Sequence, residues 1–282
     1  MITCVGSVNL DFIATAKTLP APGETVTGAR LARHPGGKGA NQALAARRLG
    51  AEVTLIAAVG ADEVADDALS LLRAGGVDVS NVQAVNGETT GVALIAVSAE
   101  GENQIIVAPG ANTALRPEDA TLTPIEHMIG VLEVSPQTLL AAAEIATGTV
   151  VLNLAPAMKV PDALLARADV LVVNETEADW YGDTLHQQSA LIAITYGDKG
   201  AAIFRQGQQI AQAETPKVTA IDTVGAGDTF TAALTVALIE GMDHDAALSF
   251  ACTAAALACT KRGAQPSLPH RAAVDAFAPE SA

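Results

Sequence analysis

Short runs rich in Val and Ile recur at residues 2–6, 53–59, 150–154, 170–173 and 191–195, each followed by an Ala-rich stretch. A continuous apolar run bounded by turn residues suits a strand covered on both faces, and the stretches between suit crossover helices. The alternation predicts an α/β fold: one doubly wound domain over 1–282, on a mainly parallel sheet flanked by helices. Two stretches break this rhythm, about 12–34 and 88–108, where Thr, Val and Ile alternate with polar residues between turns such as Pro22-Gly23. Alternation without crossover helices predicts antiparallel strands exposed on one face, a small β-sheet lid projecting from the body. Pairing with a second copy would bury that lid's apolar face, so a homodimer through the lid is expected. No internal repeat or flexible linker is visible, only a short Pro/Ser/Ala tail after Phe277.

Composition narrows the partners. The 282 residues are 50% hydrophobic, enough for a large core, with a formal charge of −15 and a pI near 4.6. A nucleic acid or an anionic membrane would be repelled by that average field, so neither is expected as a partner. Anionic substrates would then need local compensation from backbone amides, placed cations or metal. Cys4, Cys252 and Cys259 form no CxxC spacing. They read as small buried thiols in a reducing compartment. The start of the chain lacks a basic leader and reads as a first strand, and the apolar segment 246–260 is too short to span a bilayer. A cytoplasmic location is expected.

The segment DTVGAGDTF (222–230) precedes an Ala/Leu-rich helical pattern that runs through Ile239 until Gly241 can cap it. Gly225, Ala226 and Gly227 leave the first amides of this helix uncrowded, forming an anion hole for a transferring phosphoryl group. Asp228 within it is placed to accept a proton from an attacking hydroxyl. The alternative, that Asp228 is only a helix cap, has comparable weight on local grounds.

In PGGKGANQ (35–42) three glycines allow close backbone approach, and Lys38, Asn41 and Gln42 supply hydrogen-bonding groups. No Ser or Thr follows Lys38, so this is not a Walker A loop; a tight strand-to-helix turn is the other reading. Asn9 and Asp11, two apart at the end of the first strand, face one side as a polyol-binding pair requires. NETE (174–177) lies at another strand end, where Glu177 can hold waters around Mg2+ or simply favour a helix start. TYGDKG (195–200) supplies a hydroxyl and a Gly-rich turn, or a plain hairpin turn.

In their order along the chain, Asn9 and Asp11, GGKGANQ, NETE, TYGDKG and DTVGAGDTF resemble the ribokinase-like (PfkB-type) family of carbohydrate kinases, nearest its ribose-phosphorylating branch. The resemblance implies the fold of that family and ATP-dependent phosphorylation of a primary sugar hydroxyl, D-ribose to D-ribose 5-phosphate. It implies Asp228 as catalytic base, with sugar contacts from Asn9, Asp11, Gly37, Lys38, Gly39, Asn41 and Glu133. ATP is implied against Asn174, Glu177, Thr195, Gly197, Gly200 and Gly227, with Mg2+ held through water by Glu177. A monovalent cation, K+, is implied at Asp222, Val224, Ala258, Lys261, Gly263 and Ser267. The chain departs from the family pattern on the adenine side: residues 180–189 leave no room for the usual additional helix, and Cys252 stands where the family carries a histidine. Alternatives are a kinase for deoxyribose, fructose or a nucleoside, or a non-catalytic sugar sensor. One Trp, two Tyr and five Phe give little aromatic stacking for a nucleobase. A dehydrogenase is disfavoured because no GxGxxG follows a strand.

Overall fold

A computed structural model describes residues 1–277; the tail expected after Phe277 lies outside them. The chain begins with β1 (Ile2–Val5), β2 (Asn9–Thr15), β3 (Arg30–Gly36), α1 (Lys38–Arg48), β4 (Val53–Gly60), α2 (Val64–Ala74), β5 (Val82–Val85), β6 (Gly91–Val97) and β7 (Asn103–Ala108). It continues through β8 (His127–Val131), α3 (Pro136–Ile145), β9 (Val150–Asn153), α4 (Asp162–Arg167), β10 (Val170–Asn174), α5 (Glu175–Tyr181), α6 (Asp183–His186) and β11 (Leu191–Thr195). The hairpin β12 (Ala201–Arg205) and β13 (Gln208–Ala213) then precedes α7 (Ala226–Ile239), α8 (His244–Ala258), α9 (Ala264–Ser267) and α10 (Arg271–Asp275).

Nine strands form the main sheet in the order β13-β12-β11-β10-β9-β8-β1-β4-β5. All pairings from β11 through β5 are parallel, and β12 and β13 add an antiparallel edge. Period-two alternation sorts the strand residues between two cores. In β4, Leu55, Ala57 and Val59 pack toward α1, α2, α7 and α8, while Ile56 and Ala58 pack on the opposite side with residues of α3 and α4. Leu44 and Leu49 are fully buried against the first of these faces, each contributing roughly 2 kcal/mol relative to exposure.

The second sheet has four strands in the order β3-β2-β6-β7. It differs from the expected antiparallel arrangement in one ladder: β2–β3 and β6–β7 are antiparallel hairpins, but β2 and β6 pair in parallel. One face carries Leu31 and Ile106, each 68% exposed, and half-exposed Leu94, while Ile105 and Val107, also about half exposed, lie on the other. Asn9 and Asp11, expected at the end of the first strand, instead open lid strand β2. Two residues apart, they keep the predicted common face, with Asn9 buried and Asp11 half-buried.

Residues 180–189, expected to leave no room for the family's additional helix, hold beyond the end of α5 only α6, four residues long. Among the described residues no helix is long and apolar enough to cross a membrane.

Candidate active site

Two helix N-termini meet at the centre of the molecule. Gly225, at φ 82°, is the residue before α7, and a side chain there would be strained in this left-handed conformation. The amide of Ala226 donates to the Thr223 carbonyl at 3.2 Å, so this member of the expected anion hole is internally engaged. Among the described residues the amides of Gly225, Gly227 and Asp228 have no internal acceptor, and these three are the free donors. Asp228, in the first turn of α7, is buried. It accepts Asn41 Nδ2 at 2.8 Å and Gln42 Nε2 at 2.9 Å. Burial pushes its carboxyl above the ordinary range, Glu133 pushes the same way, and Lys38 and the two amide donors oppose them. The geometry sets aside the cap reading: the side chain accepts from α1 and caps no amide of its own helix.

The N-terminus of α1 meets the opposite side. Gly37, at φ 87°, precedes it, and a Cβ there would sit 2.7 Å from the Asn9 amide nitrogen. Glu133 lies just past β8 and accepts from the Lys38 amide at 3.1 Å and from the Ser7 hydroxyl, while its other oxygen is 3.9 Å from Lys38 Nζ. A carboxylate at a helix N-terminus is favoured by the helix dipole, which helps hold Glu133 at the start of α1. Gly39, expected on the sugar side, is instead a packing glycine. A Cβ would lie 2.5 Å from the Gly6 carbonyl carbon and the Ser7 amide nitrogen, and its own amide faces Ser7 Oγ at 3.4 Å.

Asn9 Oδ1 accepts from Asn112 Nδ2 at 2.8 Å, and Asn112 also grips both backbone polar groups of Val8. A side chain at Gly91 would collide with this Asn9–Asn112 pair. Asp11 accepts no hydrogen bond among the described residues. Its carboxyl is pushed up to about 6 by burial, with Glu133 and Asp228 raising it and Lys38 opposing. Lys38 is thus one cation facing four carboxylates, and Asp228 foremost, then Glu133, Glu177 and Asp11, strengthens its hold on its proton.

Beyond Asp228 opens a cavity of about 310 Å³, lined by Lys38, Asn153, Asn174, Glu177, Thr195, Thr223 and the 224–228 turn among others. Asn174 and Glu177 form a reciprocal cap on α5, each accepting the other's amide at 2.8 Å. Burial raises the Glu177 carboxyl, while the Asn174 amide and Lys38 oppose that rise. Among the described residues no group of three or more His, Cys, Asp or Glu is arranged to hold a metal. Glu177, a carboxylate on the cavity wall, could hold a hydrated Mg2+ through water, since that ion usually keeps several of its waters. Thr195 lines the cavity, whereas Gly197 and Gly200 lie outside its lining in the hairpin turn to β12, where the Tyr196 amide donates to the Gly200 carbonyl at 2.8 Å.

Of the expected monovalent-cation set, Asp222 ties two loops together. One oxygen accepts the Val224 amide at 3.0 Å and the other the Gly263 amide at 2.8 Å. Ala258 ends α8, exposed Lys261 lies between the helices, and buried Ser267 ends α9 with its hydroxyl on the Ala264 carbonyl at 2.8 Å.

The family model for pfkB family carbohydrate kinases matches residues 1–271. This chain belongs to that family. Among curated relatives, ribokinase of Haemophilus influenzae is 37% identical, with 96% of this chain and 95% of that protein covered. Ribokinase of Bacillus subtilis is also 37% identical, over 97% and 98%. The solved structure of Arabidopsis thaliana ribokinase complexed with ribose and ATP superposes with a TM-score of 0.89 at 30% identity, covering 98% of the kinase and 99% of that chain. The kinase's site also contains residues that sequence reasoning missed: Ser7, Asn112, Asn153 and Thr223. Of these Thr223 carried a signal as a member of the 222–230 segment, and Asn112 as the last residue of PGAN at 109–112.

Proposed function

We propose that the kinase transfers the γ-phosphoryl group of ATP in line to the primary hydroxyl of D-ribose, giving D-ribose 5-phosphate and ADP. The observation that carries this reading is the placement of Asp228. It is a buried carboxylate held by Asn41 and Gln42 of α1 and lining a cavity bordered by free helix amides. Asn9, Asp11, Lys38, Asn41 and Glu133 supply donors and acceptors for sugar hydroxyls on one side, with Gly37 giving room. Asn174, Glu177 and Thr195 face the nucleotide on the other. Asp228 takes the hydroxyl proton as the sugar oxygen bonds to phosphorus and the bond from phosphorus to the ADP oxygen breaks. The amides of Gly225, Gly227 and Asp228 and the Lys38 ammonium meet the charge on the phosphoryl oxygens. Mg2+, when bound with ATP, neutralises phosphate charge.

The ribokinase relatives and the ribose and ATP complex support the choice of sugar and nucleotide. A K+ ion beside Asp222 would steady the loop that presents the amides, and the linkage of 222–224 to Gly263 supports that place. The open apolar face of the lid supports a homodimer through it, checked by sedimentation of wild type and Ile106→Lys. A coupled assay of ADP release with ribose, 2-deoxyribose, fructose and nucleosides, each with and without K+, tests the activity. Sugar-dependent turnover highest on ribose is expected, and its absence on every acceptor would refute the reading.

A further inference from the structure

The two oxygens of Asp228 are held by neighbouring residues of α1 that differ in their surroundings. Asn41 Nδ2 donates to Oδ2 and Gln42 Nε2 to Oδ1. A carboxylate offers only acceptors, so both amides turn their nitrogens toward it. That leaves Asn41 Oδ1 and Gln42 Oε1 buried with no partner among the described residues. Burying an unpaired acceptor costs stability, so an arrangement that leaves two such atoms is retained for something other than stability. Gln42 is 0% exposed and Asn41 5%. Each oxygen of Asp228 accepts one amide and keeps a second lone-pair site for a hydroxyl; Oδ1 is the oxygen held by the fully buried side chain of Gln42, so Oδ2 is the one a hydroxyl can approach.

We propose that Gln42 is a positioning residue that holds Oδ1 of Asp228 throughout the reaction, so that the second lone-pair site of Oδ2 takes the hydroxyl proton. This inference rests on the phosphoryl-transfer reading above. Asn41, on the Oδ2 side, keeps its second amide hydrogen for the sugar. Gln42 keeps the carboxylate from rotating, and its donor favours the charged form that a base needs. The other charged groups acting on Asp228 are Lys38 from α1, Glu133 beyond β8 and Asp11 from β2. None of these is altered by a change at Gln42, so the titration of Asp228 reads the contact directly.

The test compares wild type with Gln42→Met, which keeps the volume and removes the donor, and Gln42→Glu, which sets a second carboxyl there. Titration of Asp228 is followed by the carboxyl carbon NMR signal of 13C-Asp-labelled protein, identified by its disappearance in Asp228→Asn; no turnover is needed. The midpoint should rise by about one to two units in Gln42→Met, the size expected for losing a hydrogen bond to a charged group. It should also rise in Gln42→Glu, where a like charge opposes ionisation; that variant decides the matter if Gln42→Met does not fold. The acid limb of kcat/KM should move with it, while ribose affinity at high pH is unchanged. An active wild type whose Gln42 variants keep its midpoint and acid limb would overturn the inference alone, as would a fall in kcat uniform across pH. A wild type inert toward every sugar would instead overturn the activity reading, and with it the role assigned to Oδ2.

Discussion

Replacing Asp228 by Asn removes the charge at the centre of the site with little change of shape. In the wild type two amide nitrogens converge on the carboxylate at 2.8 and 2.9 Å. The new amide presents one oxygen and one NH2, so one neighbour must turn over and offer the oxygen that is without a donor in the wild type. Two hydrogen bonds to a charged acceptor, roughly 1.5–3 kcal/mol each, become two neutral ones of about 1 kcal/mol. Against that loss, one unpaired acceptor worth about 1–3 kcal/mol is satisfied and the desolvation of a buried charge disappears. These terms offset to within a few kcal/mol, so Tm should stay within about 5–10 °C of wild type.

Asp228 and Asp11 are both raised in the folded state. The native protein therefore holds protons that the unfolded chain has released, and wild-type stability falls as pH rises from the unfolded carboxylate range through the raised values. Asp228→Asn lacks the Asp228 share of that fall, so its Tm relative to wild type should improve from pH 4 to pH 8. Turnover behaves differently. Losing a general base costs about 10²- to 10⁴-fold in kcat, while sugar affinity should change only a few-fold. Coupled ADP release, calorimetric titration with ribose and scanning calorimetry across pH measure the three quantities. A kcat within tenfold of wild type would refute the base assignment, and a Tm improvement absent at high pH would refute the buried-charge argument.

Other perturbations read other parts of the site. Sugar hydroxyls donating to Asp11 favour its ionised form, so ribose binding near pH 6 should release a proton, seen as a buffer-dependent heat in calorimetry. Asp11→Asn should abolish that heat and raise KM by about tenfold or more, as expected for a lost hydrogen bond to a charged group. Gly39→Ala would place its Cβ 2.5 Å from the backbone of Gly6 and Ser7. The overpacking should cost about 1–3 kcal/mol, measured by denaturant unfolding. Asp222→Asn can accept only one of the Val224 and Gly263 amides, so about 1–3 kcal/mol of loop ordering is lost. Its kcat should fall and its response to added K+ should flatten in a cation titration.

Much of the frame was legible because it is written in local periodicity. The apolar runs at 53–59, 150–154, 170–173 and 191–195 coincide with β4, β9, β10 and β11 to within one residue, and the helix through Ile239 is α7. The central strand β8 was not legible, because its five residues begin with His and include Gly, a weak strand signal carried entirely by burial between β1 and β9. The parallel β2–β6 ladder was equally hidden, since strand alternation reveals which face is buried but not which strand lies alongside.

Glycine identity alone does not separate roles either: Gly37 and Gly225 adopt positive φ at helix starts, whereas Gly39 is needed only because two backbones touch. The sequence by itself determined the fold class, the helix beginning in a glycine-rich turn with Asp228 in its first turn, and the residue types able to meet a sugar and a nucleotide. These follow from short-range backbone preference and side-chain chemistry. Only the tertiary structure decided what each group touches. Asn41 and Gln42 reach Asp228 across 187 and 186 positions, and Ser7 reaches Glu133 across 126. Contacts of that span exist only after the sheet has stacked α1 beside α7, which no local pattern encodes.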